Sequence, residues 1–480
     1  MRQVEDLLSD ETANSNEHPV APRDKALKVN LDPRHYGTFA EIGAGQEVVR
    51  WFFRAGGAAG TIAKSISAYD MKVSDAIYGS CARYVCRERL QSMLDYEQRL
   101  NVERLGGTRG DNTALFAFAD TVSARSFRGN NECHGWMGIK YQARPSGPDH
   151  QIIVHVRMLD VENALQQEAL GIVGVNLVYG ACFLHDEPEA LLESLLDGLA
   201  TTRIEIDLIE FSGDEFGHVD NRVMSLRLVQ LGLTGAAMFS AEGKVLQPSE
   251  VLYKKPVLVE RGRFRPVTYV NLDLAAAALE RFEAEGDDVV RGETVSIMEI
   301  TMRNLMAQGD VDLNDFISRA DVLATTGRTV MISDFAEYYR LAAYLFRYTS
   351  RRIGLAMGAM NLREIFDESN YRGLDGGILE NFGRLFKNNL KLFVYPYIDP
   401  KTRELVTIDK LQLEPSLRQL FGYLVERRCI VQLTNINHAY LNIYSPDVLS
   451  KINAKNTEWE SMVPPEVANA IKSRGLFGYS

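Results

Sequence analysis

Several carboxylates stand where apolar runs end, and they set the chemistry open to this chain. Glu210 closes RIEIDLIEF, Asp273 closes VTYVNLD, Glu299 and Arg303 straddle the end of VSIMEIT, and Asp334 closes TVMISD. Carboxylates gathered at one edge can hold Mg²⁺ or divide acid and base roles, and an arginine beside them can clamp an anionic group. A structural use competes: Asp273 precedes LAAAALERF and Asp334 begins Asp-x-x-Glu337, so both can cap helices. Gly213-Asp-Glu-Phe-Gly-His218-Val-Asp-Asn-Arg222 is a second polar cluster, offering His218 or an ordinary turn capped by Asp220.

Two glycine-rich stretches invite a cofactor. Glu41-Ile-Gly43-Ala-Gly45-Gln-Glu47 opens QEVVRWFF, and a glycine turn feeding a helix N-terminus presents free N–H groups to an anion. The dinucleotide fingerprint begins this way, but Val48 or Glu47 stands where the third glycine belongs. Gly56-Gly-Ala-Ala-Gly-Thr-Ile-Ala-Lys64-Ser65 suggests a phosphate loop, with Lys64 and Ser65 as contacts. Ala58 and Ala63 replace its two glycines. The structural alternative in both places is a tight turn beside a helix.

Metal and thiol chemistry have less support. Cys81 and Cys86 are five apart on what reads as a helix, so they do not share a face. Cys133-His134 are adjacent and point apart, His155 alternates with Arg157 on a strand, and no His-x-x-x-His occurs. The cofactor stays open, with Mg²⁺ one that the carboxylates could hold.

The elements that must position these residues follow from hydrophobic period. IIVHVRM, GVNLVYG, RIEIDLIEF, GAAMFS, VTYVNLD, VSIMEIT, TVMISD, IGLAMG, LKLFVYP and CIVQLTN read as strands. EPEALLESLLDGLA, LAAAALERFEAEG, FAEYYRLAAYLFRYTSRR and SLRQLFGYLVERR read as the helices between them. The alternation predicts an α/β fold with a mostly parallel sheet covered by helices. Eight repeats fit between residues 172 and 397, so both a (β/α)₈ barrel and an open doubly wound sheet satisfy the pattern. The expected organisation is a flexible arm over 1–30, a helical glycine-rich region over 31–148, the α/β domain over 149–435 and an appendage over 436–480. Within the second part, VSDAIYGSCARYVCRERLQSMLDYEQRLNVERL carries a helical stripe.

Composition narrows the function classes. Hydrophobic residues make up 46% of the 480 and charged residues 24%, which excludes a disordered chain or a disulfide-stapled miniature. The net charge of −11 argues against nucleic-acid binding. Tyr253–Arg265 is the one local basic concentration, with five basic residues in thirteen. Five cysteines fit reduced thiols, and the N-terminus lacks an apolar secretion segment. Leu170–Leu184 is too short for a membrane span and reads as a buried strand. A cytoplasmic protein away from membranes is expected.

The runs YGTFAEIGAGQEVVRWFFRAGGAAGTIAKSISAYDM, NNECHGWMGIKYQ and VLQPSEVLYKKPVLVERGRFRPVTYVN resemble a family of long bacterial proteins, some labelled nicotinate- or nicotinamide-nucleotide adenylyltransferases. That label implies a [HT]-x-G-H phosphate motif and a later I-S-S-T-x-x-R motif. Glu215-Phe-Gly-His218 departs at its first position, and Thr349-Ser-Arg-Arg352 only hints at the second. The residues favour an enzyme acting on a small anionic or phosphorylated metabolite. The alternatives are that nucleotidyltransferase and a non-catalytic ligand-binding or scaffolding protein that self-associates through its N-terminal region.

Overall fold

Strand formation begins earlier in the chain than its hydrophobic period suggests. A computed structural model describes residues 20–126, 129, 132–285, 291–307, 309–399 and 401–479. It divides into two units, residues up to 206 with 210–219, and residues 207–209 with 220–480. Most of the arm expected over 1–30 lies outside the described residues; Pro22–Leu31 is a helix (α1) with proline in its first turn.

The first unit continues with β1 (His35–Gly43), α2 (Val48–Ala55), β2 (Ile62–Ser67), α3 (Met71–Tyr78), α4 (Arg87–Arg109), β3 (Ala114–Ser123) and β4 (His134–Gln142). It closes with β5 (Asp149–Met158), α5 (Asn163–Phe183), α6 (Pro188–Ser194) and β6 (Ile204–Ser212). The sheet order is β2-β1-β3-β4-β5-β6, with β1 parallel to both neighbours and β3, β4 and β5 antiparallel in turn. Strands β1 to β4 correct the expectation of a helical region over 31–148. HYGTFAEIG and ALFAFADTVS are buried on both faces, so no period-two alternation marks them. The boundary expected at 148 falls in the turn joining the paired strands β4 and β5.

GVNLVYG is likewise not a strand but the middle of α5, a helix buried almost all round. Glycines let its neighbours approach: a Cβ on Gly174 would stand 2.3 Å from a Val48 methyl, and one on Gly180 would stand 2.6 Å from Leu191 Cγ. We expect Gly174→Ala to destabilise by about 1–3 kcal/mol through overpacking, despite alanine's helix preference. A urea midpoint that stays level or rises would refute that contact.

The second unit contains α7 (Asn221–Gln230), β7 (Ala236–Phe239), β8 (Val245–Leu246), α8 (Pro248–Leu252), β9 (Val257–Arg261), α9 (Tyr269–Ala284) and β10 (Val295–Thr301). There follow α10 (Met302–Leu305), α11 (Leu313–Ala324), β11 (Thr329–Ser333), α12 (Tyr338–Leu345), β12 (Ile353–Gly358), α13 (Ala359–Ile365), α14 (Gly377–Leu385) and β13 (Lys391–Tyr395). After a small hairpin, β14 (Tyr397–Ile398) and β15 (Leu405–Val406), come α15 (Arg418–Glu426), β16 (Ile430–Gln432), α16 (Ser445–Asn453) and α17 (Pro465–Arg474). VTYVNLD, expected as a strand, starts α9: Thr268 and Asn271 form a capping box that overrides its β-branched residues.

Eight strands line up as β16-β13-β12-β9-β10-β11-β7-β8, with separate edges at β16 and β8 and β7 antiparallel to β11. The sheet is open and mixed, which corrects the barrel alternative. Its six parallel strands run β9, β10, β11 outward one way and β12, β13, β16 the other, the 3-2-1-4-5-6 order of a doubly wound fold. Alternate residues feed two cores. Val257, Val259, Leu355, Leu392 and Val394 pack with Leu341, Leu362 and Phe382. Leu258, Ala356, Phe393 and Val431 face Leu274, Ala278 and Phe282 of α9. Among the described residues no helix is long and apolar enough to cross a membrane.

Candidate functional site

In a doubly wound sheet, ligands bind beyond the carboxyl ends of the strands where the order reverses, here between β9 and β12. The chain leaves β9 through Gly262-Arg-Phe-Arg-Pro266, the second half of the basic run, and enters α9. Three interactions fix this loop. The Gly262 N–H donates to the Glu299 carbonyl at 3.1 Å, Asn304 Nδ2 donates to the Gly262 carbonyl at 3.4 Å, and Arg319 Nη1 donates to the Arg263 carbonyl at 3.1 Å. Arg265 and Arg319 share Asp315, each at 2.5 Å. Burial, with like charge from Arg265 and Arg263, holds the Arg319 guanidinium below its usual range. The loop thus carries two arginines, Arg263 and Arg265, with Arg319 of α11 beside them. Arg263 is exposed, and so is Arg303, beside the Asn304 that docks on Gly262.

Farther along the same edge, α9 and the segment after β16 flank an open, shallow pocket of about 470 Å³ lined by Asp273, Ala276, Ala277, Glu280, Asn435, Ile436, Asn437 and His438. Asp273 Oδ2 accepts the Tyr395 hydroxyl at 2.6 Å and the Asn437 N–H at 2.9 Å, which leaves Oδ1 for a ligand. Burial, then the bond to Asp273, pushes the Tyr395 phenol well above its ordinary range, so it stays a donor. Asn435 Nδ2 donates to Glu280. Tyr440 stacks on Tyr269 with ring centroids 4.9 Å apart, pinning the segment after β16 to the start of α9. Asp273 therefore sits in the second turn of a helix, not at a strand end.

Glu299 belongs to the interior. It is fully buried, and Arg261 grips it through Nε to Oε2 at 2.8 Å and Nη2 to Oε1 at 3.0 Å, while Ser333 Oγ donates to Oε1 at 2.6 Å. With both oxygens engaged it is a structural ion pair, which corrects its place among the edge carboxylates. Glu260, the preceding residue on β9, is buried with one oxygen bonded by Asn271, and burial raises its pKa to about 8.

Of the other expected residues, Glu210, His218, Lys64, Ser65, Gly43 and Gly45 lie in the first unit, whereas Asp220 and Asp334 lie in the second. Glu210 on β6 is ion-paired with Arg87, and His218 is exposed in a loop after β6; Asp220 caps α7 as expected. Glu210 and His218 thus do not join Asp273 within one unit. Lys64 and Ser65 sit on β2, where no phosphate loop exists, and Lys64 Nζ is ion-paired with the buried Glu97. Gly43 and Gly45 do form a strand–turn–helix junction, with Gly43 at φ 75°. The anion position there is filled from within: the Glu41 carboxylate accepts the Val48 N–H at 2.8 Å and the Val49 N–H at 3.3 Å. Beside Glu41 in register stands Asp120, fully buried, its two oxygens without a hydrogen-bond partner among the described residues. A Cβ on Gly45 would strike Asp120 Oδ1 at 2.0 Å, so only glycine can pass over it. This acid pair escaped the sequence reading because its members lie 79 positions apart.

Among the described residues no group of three or more His, Cys, Asp and Glu side chains is placed to hold a metal ion. Cys81 is not on a helix: α3 ends before Gly79 at φ 84°, and Cys86 is the residue that caps α4.

No protein-family model and no curated protein matches the chain. About a third of it is similar to solved structures of competence- and damage-inducible proteins. The protein CihA of Agrobacterium tumefaciens is 14% identical over 35% of this chain and 98% of its own, with a TM-score of 0.25. A CinA superfamily protein of Klebsiella pneumoniae is 10% identical over 34% and 98%, at 0.26. A competence or damage-inducible protein of Enterobacter asburiae is 11% identical over 34% and 96%, at 0.23.

Proposed function

We propose that the protein is an enzyme of small-metabolite chemistry whose second unit binds a phosphorylated, hydroxylated ligand along the carboxyl edge of its doubly wound sheet. One observation carries the reading: the arginine-bearing loop after β9 runs directly into the helix that bears Asp273, at the reversal of strand order. Asp273 lies four residues past Tyr269, a rise of about 6 Å, which one sugar phosphate spans. Arg263 and Arg303 would take the anionic group, because guanidinium forks match phosphate geometry. Asp273 Oδ1 would accept a ligand hydroxyl and serve as base. The glycines of a dinucleotide fingerprint are absent from this loop, so the arginines rather than backbone N–H groups would do the anchoring. The pocket itself is acidic, so a phosphate entering it would need Mg²⁺ between it and Asp273 and Glu280.

Thermal unfolding of the full chain against sugar phosphates, nucleoside mononucleotides, ATP and their unphosphorylated counterparts, with and without Mg²⁺, tests this. A ligand at 100 times its Kd adds about 2.7 kcal/mol, a shift of several degrees. Arg263→Ala and Arg303→Ala should each weaken a phosphorylated ligand about tenfold or more. Asp273→Asn should keep most of the binding and lose turnover. A shift without turnover favours a ligand-binding protein, and joint binding of ATP with a pyridine mononucleotide favours the adenylyltransferase reading. A flat panel, or binding indifferent to both arginines, overturns the proposal.

A further inference from the structure

The segment between α3 and α4 holds two thiols against each other. Cys81 Sγ and Cys86 Sγ are 3.6 Å apart, both cysteines are reduced, Cys86 is buried and Cys81 is partly exposed. Cys86 sits at the N-terminus of the 23-residue helix α4: its sulfur accepts the Arg89 N–H at 3.4 Å, and its thiol donates to the Arg83 carbonyl at 3.0 Å. The surrounding frame is stiff, because Asp75 of α3 accepts both Arg89 Nη2 at 2.7 Å and the Tyr84 hydroxyl at 2.9 Å.

We propose that Cys81 and Cys86 form a reversible disulfide by exchange with low-molecular-weight disulfides. The Cys81 thiolate attacks one sulfur of the oxidant, whose S–S bond breaks; a mixed disulfide forms and one thiol leaves carrying the proton Cys81 gave up. Cys86 then attacks Cys81 Sγ, breaking the mixed disulfide and releasing the second thiol with the proton from Cys86. Two electrons pass from the cysteine pair to the oxidant, which ends as two thiols. Exposure assigns the first attack to Cys81, and the short sulfur–sulfur distance assigns the second to Cys86. Burial pushes the Cys86 thiol up to about 12, which keeps it out of the first step, and the α4 N-terminus favours its thiolate in the second. The bond would tie the α3–α4 connection to the first turn of α4.

The full chain is titrated with oxidised glutathione under native conditions and mapped with trypsin, which cuts at Arg83 between the two cysteines. The expected result is two joined tryptic peptides, loss of two of five titratable thiols, and full recovery with dithiothreitol. Cys86→Ser should accumulate a glutathione adduct on Cys81, and Cys81→Ser should leave Cys86 unmodified. A wild-type protein that keeps both thiols in excess oxidant, or that holds a stable glutathione adduct on Cys81, overturns the proposal.

Discussion

Replacing Asp120 with asparagine raises the stability of the first unit at pH 8 and flattens its fall between pH 4.5 and 7. The cause is the pairing of two buried carboxyl groups on β1 and β3. Glu41 and Asp120 are register partners, 2% and 0% exposed. Burial, partly countered by the Val48 and Val49 N–H groups and reinforced by Glu47, lifts Glu41 to about 7. Burial, then the Glu41 charge, drives Asp120 well above the ordinary carboxylate range. Both folded values lie above the unfolded ones, so the protonated acids favour the folded state. That contribution is complete below the unfolded pKa near 4 and is lost as pH rises through the folded values. For Glu41 the rise from 4.5 to about 7 corresponds to about 3 kcal/mol at neutral pH. Asparagine carries no charge, so it removes the mutual repulsion and lets an ionised Glu41 keep its two bonds to the start of α2. Urea midpoints read through Trp51 and Trp136, both in the first unit, should converge for wild type and variant near pH 4 and separate by pH 8, with the variant higher. A variant less stable than wild type at pH 8, or one with an unchanged pH slope, would remove the charge account. Gly45→Ala serves as a separate probe, since its methyl meets the Asp120 carboxyl directly and should destabilise at every pH.

The parts of the fold legible from sequence share one trait, a short, largely apolar run closed by a polar or turn-forming residue. VSIMEIT, TVMISD, IGLAMG and LKLFVYP announce themselves this way and became β10 to β13. Their order does not show in the sequence, because it depends on which helix covers which face. The first sheet hid for the opposite reason. Its central strands are buried on both sides and built from Ala, Gly and Phe, so they resemble helix interiors. The α5 segment deceived in reverse: an apolar run with glycines at 171, 174 and 180 reads as strand until the neighbours those glycines admit are known. Candidate chemistry followed the same division. Asp273 was legible as a carboxylate before an apolar helix, yet its partners Tyr395 and Asn437 lie more than 120 residues away. Cys81 and Cys86 looked mismatched because their spacing was measured on a helix that Gly79 interrupts.

Arg261→Met costs about 3–5 kcal/mol, the largest single loss expected in the second unit, because it strands Glu299 in the core. The pair joins β9 to β10 at register partners, with Glu299 fully buried and its carboxylate held by two arginine bonds and the Ser333 hydroxyl. Arg261 also donates to the Ala336 carbonyl at 2.9 Å and lies 4.3 Å from the Tyr338 ring centroid, so it carries packing as well as charge. Without the guanidinium, a carboxylate is left in the core without its counter-charge. Pairing the change with Glu299→Leu removes the stranded charge and should recover most of the stability, leaving a positive coupling in the double-mutant cycle. That double variant also separates structure from chemistry. If Glu299 acts only by holding β9 and β10 together, the refolded double variant keeps the ligand-induced thermal shift and its dependence on Arg263. Should the double variant be as unstable as Arg261→Met alone, burial of an unpaired charge is not the cause. Should it be stable but blind to ligand, Glu299 belongs with Asp273 in the site.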